Sequence, residues 1–142
     1  MGWTPRFPRA PDFIIGGAEH PYIYRWWLIP RNTIFNIYLH KIVRDDDDRA
    51  LHDHPWVNCS IIIKGRYVEV TPKGRFLRKS WIPIFRRPTA AHRLELVDGH
   101  CWSLFITGPR IREWGFYCSK GWVHWKIFTD PADSARVGRG CE

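Results

Sequence analysis

From Thr33 to Ile42 the chain alternates cleanly. Ile34, Asn36, Tyr38 and His40 fall on one side, and Phe35, Ile37, Leu39 and Lys41 on the other. A period of two is the signature of an extended strand, whose successive side chains point to opposite faces. Tyr22–Ile29 is rich in aromatic and aliphatic residues and stops at Pro30. Val57–Ile63 is β-branched and ends at Gly65; Arg66–Thr71 follows, and Pro72-Lys73-Gly74 has turn chemistry. Phe76–Phe85 is a broken strand pattern with Pro83 inside it, which predicts an edge or a bend. His92–Val97, Trp102–Thr107, Glu113–Cys118 and Trp122–Phe128 complete the set, separated by Asp98-Gly99, Gly108-Pro109 and Lys120-Gly121. No run carries a sustained helical period. Short strands cut by turn signals every ~8–12 residues predict an all-β sandwich or barrel. The expected division is an arm over 1–20, one folded domain over 21–129 and a loose tail over 130–142.

Composition narrows this picture. A chain of 142 residues suits one domain, and 44% hydrophobic against 25% charged residues is a globular balance that argues against disorder. Nine Trp supply large rigid side chains suited to the interior of such a barrel. No apolar run approaches the ~20 residues needed to cross a bilayer, and the start lacks a signal-peptide core. A cytoplasmic protein without membrane contact is expected. The formal charge of +8 favours anionic partners, yet the basic residues are scattered from Arg6 to Arg139 without a dense block. A small anionic molecule is therefore expected ahead of nucleic acid. Cys59, Cys101, Cys118 and Cys141 form no C-x-x-C pair, and a reduced thiol set is the simpler expectation.

The segment Leu51-His52-Asp53-His54-Pro55-Trp56 carries the clearest chemistry. Two His at i and i+2 of an extended chain project to the same side. Alone, they would equally suit loop histidines bonded to Asp45–Asp48 or to backbone. Together with a strand ending at Gly65 and a later His92, they point to a metal site of three neutral imidazoles, with positions left open for water, oxygen or substrate. Asp53 points the other way, as an acceptor for a ligand imidazole N–H or as a plain turn residue. His40 either joins the site or is a satisfied core histidine. Cys59 is a fourth ligand, a redox thiol or a small buried hydrophobe. Asn58 stands in the same stretch, and Tyr67 and Glu69 share a face that reaches toward the interior. Glu95, three residues beyond His92, falls on the opposite strand face. Arg66, Arg110 and Arg112 are candidate anion contacts on hairpin rims. Trp114 and Trp122…Trp125 serve as core or as a substrate wall. Asp45–Asp48 lacks the spacing of a calcium loop and reads as a solvated turn. No P-loop, dinucleotide fingerprint, G-x-S-x-G or paired-Cys zinc motif is present.

The His pair and its Gly resemble the first motif of the cupin superfamily, matching at His52, His54 and Gly65. The Glu of that motif is absent, Asn58 and Cys59 standing in its place, and Asp46 occupies the position of the preceding Gly. The second motif is matched at Pro88 and His92, with Leu96 in place of its Asn. Within that superfamily, HDHPWVNC and AAHRLEL look like the metal-binding segments of thiol dioxygenases. This resemblance implies Fe(II) on His52, His54 and His92, with Phe105 at a catalytic His position and Thr107 at the Tyr that some members crosslink to the residue here numbered Cys59. Nearly the whole chain is similar to a set of small cupin-like proteins of bacteria and tailed phages, without an assigned activity. The resemblance implies a jelly-roll barrel (double-stranded β-helix), one divalent ion, Fe(II) ahead of Zn, Ni or Mn, and a homodimer. The expected function is a dioxygenase-like cupin acting on a small anionic or thiol substrate. The alternatives are a non-enzymatic module for a sugar, nucleotide or protein partner, and a sugar isomerase or epimerase.

Overall fold

The computed structural model describes residues 9–45 and 50–141. Its first sheet has the order β1-β2-β3-β10-β5-β8, with β1 Phe13–Ile15, β2 Ile23–Trp27, β3 Asn36–Ile42, β5 Asn58–Lys64, β8 Ile84–Arg86 and β10 Cys101–Thr107, every neighbour antiparallel. Two three-stranded sheets face it. One is β7-β6-β9 (Gly74–Arg78, Tyr67–Thr71, Arg93–Leu96), the other β12-β11-β4 (Gly121–His124, Gly115–Cys118, Leu51–His52). An isolated antiparallel bridge, His52↔His92, joins them through two 3.0 Å backbone hydrogen bonds. The second layer is thereby continuous, and two metal-ligand candidates sit on its seam.

Alternation decides what faces inward. Registers Ile23↔Ile42, Arg25↔His40 and Trp27↔Tyr38 place one row of β2 and β3 on the inner face. Ser103↔His40, Phe105↔Tyr38, Phe105↔Ser60 and Asn58↔Arg86 extend the row across β10, β5 and β8. At one end the inner face is a plug of Ile23, Ile42, Ile62, Tyr67, Leu94 and Cys101. Each such aliphatic side chain stabilises by ~1.5–3 kcal/mol through burial. On the outer face Trp26 stacks on Trp102 at 5.6 Å beside Leu39. Gly65 ends β5 at φ 88°, where a Cβ would lie 2.8 Å from the His100 carbonyl, so the turn accepts no side chain.

Several expectations are corrected. The run holding Pro83 is two strands, β7 and β8, rather than one bent strand, and each is an edge of its sheet, as the other expectation had it. The run expected as a strand to Phe128 turns into a short helix, α1 Trp125–Phe128, capped by the His124 side chain accepting from Lys126 N–H. The expected tail carries β13 Thr129–Asp130 and β14 Asp133–Val137, and the expected arm contributes β1. Cys118 and Cys141 form a disulfide with Cα atoms 5.5 Å apart, correcting the reduced set; Cys59 and Cys101 are free and buried. Residues 23 apart carry no local spacing that announces a bond. Of the acidic run, Asp45 accepts a hydrogen bond from Leu96 N–H, while Asp46, Asp47 and Asp48 lie outside the described residues.

Candidate metal centre and its cavity

The backbone pairing of His52 with His92 sets their side chains on the same face, and His54 follows two residues on. Their imidazole centroids form a near-equilateral triangle, with sides of 5.1, 4.9 and 5.0 Å. One nitrogen from each ring lies within 4.8 Å of the others. Among the described residues no Cys, Asp or Glu joins this group.

His92 Nδ1 lies 2.5 Å from Glu69 Oε2. A carboxylate only accepts, so Nδ1 carries the proton and the Nε2 lone pair is left for an ion. Glu69 is almost fully buried, yet three groups compensate its charge. Arg86 Nε donates to Oε2 at 2.6 Å and Arg78 Nε to Oε1 at 2.8 Å, beside the His92 bond. Burial raises the Glu69 carboxyl, but the His92 hydrogen bond and the Arg86 charge outweigh it and hold the group well below the usual range. Arg86 is equally buried, and donates also to Asn58 Oδ1, Ser60 Oγ and Tyr67 Oη. Burial, then the neighbouring imidazoles and Arg86, keep His52 and His54 neutral, the form that binds metal. Burial lowers His92 as well, with Glu69 opposing.

These residues fit a divalent ion. The donors are neutral imidazoles, one has its tautomer fixed by a carboxylate, and His54 Nδ1 is buried without a hydrogen-bond partner among the described residues. A buried polar atom left so costs about 1–3 kcal/mol, which a bound ion or ligand recovers.

The triad opens into a cavity of about 480 Å³. Among the described residues its lining contains Arg25, Arg31, Arg110 and Arg136 and no Asp or Glu. Arg25 is the deepest of them. Its Nε donates to His40 Nε2 at 2.9 Å and its guanidinium lies 4.4 Å from the Tyr38 ring centroid. Burial pulls Arg25 down to about 10, so it stays cationic at neutral pH, and no carboxylate among the described residues pairs with it. His40, lowered by burial and by Arg25, is neutral. Phe105 stacks on His40 at 5.1 Å and tilts toward His54 at 6.2 Å, so a ring without titratable atoms faces the triad. Trp56, Trp114 and Trp125 form aromatic wall.

The sequence candidates divide accordingly. His52, His54, His92 and His40 line one cavity, with Tyr67 at its apolar end; Glu69 and Asn58 reach the site through the Arg86 network. Asp53 does not serve the imidazoles as an acceptor. Its carboxylate takes Gly115 N–H at 2.8 Å and Tyr117, Trp122 and Arg112, tying β11 and β12 to the His segment. Cys59 falls on the other face of β5 from Asn58 and Ser60, across from Phe85 and Ile106, and so turns away from the cavity. Glu95 pairs with Arg75 and Arg93, as its face predicts. Arg66 and Arg110 pair with Asp98 and Glu113. Sequence reasoning missed Arg25 and Arg86. The signal was the same alternation: each is a cation at an inward position, beside Ile23 and Ile84.

No family model and no curated protein matches this chain. Solved structures do. The Fe(II) form of HppE is 13% identical with a TM-score of 0.58, over 75% of this chain and 60% of that one. Hydroxypropylphosphonic acid epoxidase from S. wedmorenis is 13% identical with a TM-score of 0.53, over 72% and 59%. A cupin superfamily protein from Desulfitobacterium hafniense is 13% identical with a TM-score of 0.53, over 61% and 77%. The chain thus spans about three-fifths of the length of the HppE chain it resembles.

Proposed function

The chain has the cupin jelly-roll fold, and from that premise we propose that it holds one divalent metal ion on His52, His54 and His92 and acts on a small anionic molecule in the surrounding cavity. The observation that carries this reading is the pairing of three convergent neutral imidazoles with an Arg25 that no carboxylate of the described residues neutralises. A half-buried cation without an acidic partner among the described residues is partly desolvated, and a ligand carboxylate, phosphate or phosphonate offsets that cost through a bidentate contact.

Fe(II) is the ion of this reading. HppE was solved in its Fe(II) form, and a related structure is an epoxidase of a phosphonic acid. Zn, Ni or Mn would occupy the same imidazoles, since affinity order alone does not select among them. When bound, Fe(II) supplies the one-electron chemistry with O₂ that no side chain offers. The protein's part is positioning. Glu69 orients His92, Arg25 places the anion, and the Trp and Phe walls keep water out.

One observation favours a second reading, a non-enzymatic binding module. The cavity lining has no carboxylate, Phe105 fills the place of an acid–base residue, and the His40 Nε2 lone pair is taken by Arg25. Metal analysis by mass spectrometry of untagged protein separates the two. The expected result is near-stoichiometric iron, lost in His52→Ala and His92→Ala. Protein without metal, whose melting is unmoved by added Fe(II), Zn(II) or Ni(II), would overturn the metal site and leave the module.

A further inference from the structure

Both ends of the described chain meet at the mouth of the cavity. Phe13 and Ile15 line it from one side, Thr129, Ser134, Arg136 and Val137 from the other. β14 lies against β1, β13 and α1. The Arg136 side chain crosses Gly17 so closely that a Cβ there would stand 3.0 Å from Cδ, at a φ of +81° that favours glycine. Arg136 therefore reaches the cavity by a path that Gly17 leaves open.

Little secondary structure holds this segment. β13 and β14 share two register pairs with an irregularity between them. Other contacts among the described residues help to fasten it. Phe128 is fully buried, with its ring 3.6 Å from that of Phe116. Gly138 and Gly140 N–H both donate to the Phe128 carbonyl at 3.0 Å. Beyond them the Cys118–Cys141 disulfide ties the end of the segment to β11, whose Phe116 lines the same cavity. Phe128 fixes where the segment begins, and the disulfide fixes where it ends. Cys141 is exposed and Cys118 half-buried, so an external thiolate has a sulfur to attack.

We propose that Cys118–Cys141 is a thiol–disulfide exchange site that fastens residues 129–141 as a cap over the cavity, and that its reduction by a dithiol frees the cap and admits small molecules. A thiolate of the dithiol attacks one sulfur, and the Cys118–Cys141 bond breaks into a mixed disulfide. The second thiolate resolves it. The dithiol leaves as its own disulfide, and the two cysteines together gain two electrons and two protons. Compartments with different thiol poise would hold the cap in different states. The proposal does not depend on the metal assignment.

The test reads the cap and the cavity separately. Hydrogen–deuterium exchange is followed across the chain with and without dithiothreitol. Modification of His40 by diethyl pyrocarbonate is followed in Cys141→Ser, which needs no reductant, with exposed His20 as internal control. Opening the disulfide is expected to speed exchange over 131–141, and His40 modification, by about ten-fold or more while β3 and β10 amides hold their rates. Reoxidation of the wild type restores the slow exchange. Unchanged His40 modification in Cys141→Ser would overturn the proposal, as would β3 and β10 amides accelerating as much as the cap, which marks the bond as a general staple. Neither readout requires a bound metal, so failure here is distinct from failure of the metal site.

Discussion

The two ends of the barrel interior are built from the same strands and differ in almost every other respect. β3 gives Ile42 to one end and His40 and Tyr38 to the other; β5 gives Ile62, then Ser60 and Asn58; β10 gives Cys101, then Ser103 and Phe105. At the first end an apolar plug needs only volume and burial. At the second the buried Glu69 and Arg86 depend on each other, and a half-buried Arg25 lies among four neutral histidines. Moving two residues along one face of a strand is enough to pass from packing to chemistry. In the plug a change of volume is felt locally; the polar end is cooperative, because the Glu69 and Arg86 charges are bearable only while both are present.

The largest effect should come from breaking that cooperation. Glu69→Gln leaves Arg86 and Arg78 without their carboxylate and offers His92 at best a neutral amide oxygen in place of the charged acceptor that fixes it. A loss of about 3–5 kcal/mol in stability is expected from an uncompensated buried charge. Ion affinity should fall ~10–100-fold, as it does when a ligand imidazole loses its orienting partner. Denaturant melts and metal titration of the folded fraction measure the two. If both stay near wild type, the polar end is as tolerant as the plug and the contrast is wrong.

Ile62→Ala tests the other end. Ile62 is wholly inaccessible to solvent, and its truncation should cost about 3 kcal/mol through lost burial and a cavity. Metal content per folded molecule should stay at the wild-type level. A variant both destabilised and metal-poor would mean that the plug, not only Glu69, positions the triad.

Arg25→Gln sharpens the comparison within the polar end. The Arg25 guanidinium serves no internal carboxylate, so melting should move little, whereas phenylphosphonate binding by calorimetry should weaken by about ten-fold or more, the value of one charge-assisted contact. Unaltered phenylphosphonate affinity would remove Arg25 from the anion site.

The contrast also explains what the sequence disclosed. Alternation in Thr33–Ile42 told inward from outward, and the His pair with His92 named three residues that the fold brings together. Alternation has no coordinate along the barrel, so it did not say that Ile42 would sit in the plug and His40 in the site. Cys59 stood open as a ligand, a redox thiol or a small buried hydrophobe; its parity on β5 puts it on the other face, where it is buried as the last of these. Asp53 looked like a partner for its neighbours, yet a carboxylate between two inward histidines must point away, toward β11 and β12. The Arg86–Glu69 pair, 17 residues apart, joins β8 and β6 of two different sheets and has no local signature. The same holds for the disulfide.

The smallest expected effect concerns one proton on His40. Burial and then Arg25 hold the folded His40 well below its ordinary value, so the native state keeps it neutral. An unfolded chain takes up that proton below about pH 6.5. His40 therefore contributes its full stability above that pH and loses it progressively as pH falls from ~6.5 toward the lowered folded value, by at most about 1.4 kcal/mol per pH unit. His52, His54 and His92 are lowered too and act with the same sign, so the wild type alone cannot isolate the term. His40→Gln keeps an acceptor for Arg25 and carries no titrating group. Its melts between pH 7.5 and 5 should decline less steeply than those of the wild type. Parallel declines would mean that His40 takes up its proton in the folded protein over the same pH range as in the unfolded chain. The Arg25 contact would then have to be a repulsion relieved by something else in the cavity, and the histidines held neutral by burial would shrink to His52, His54 and His92.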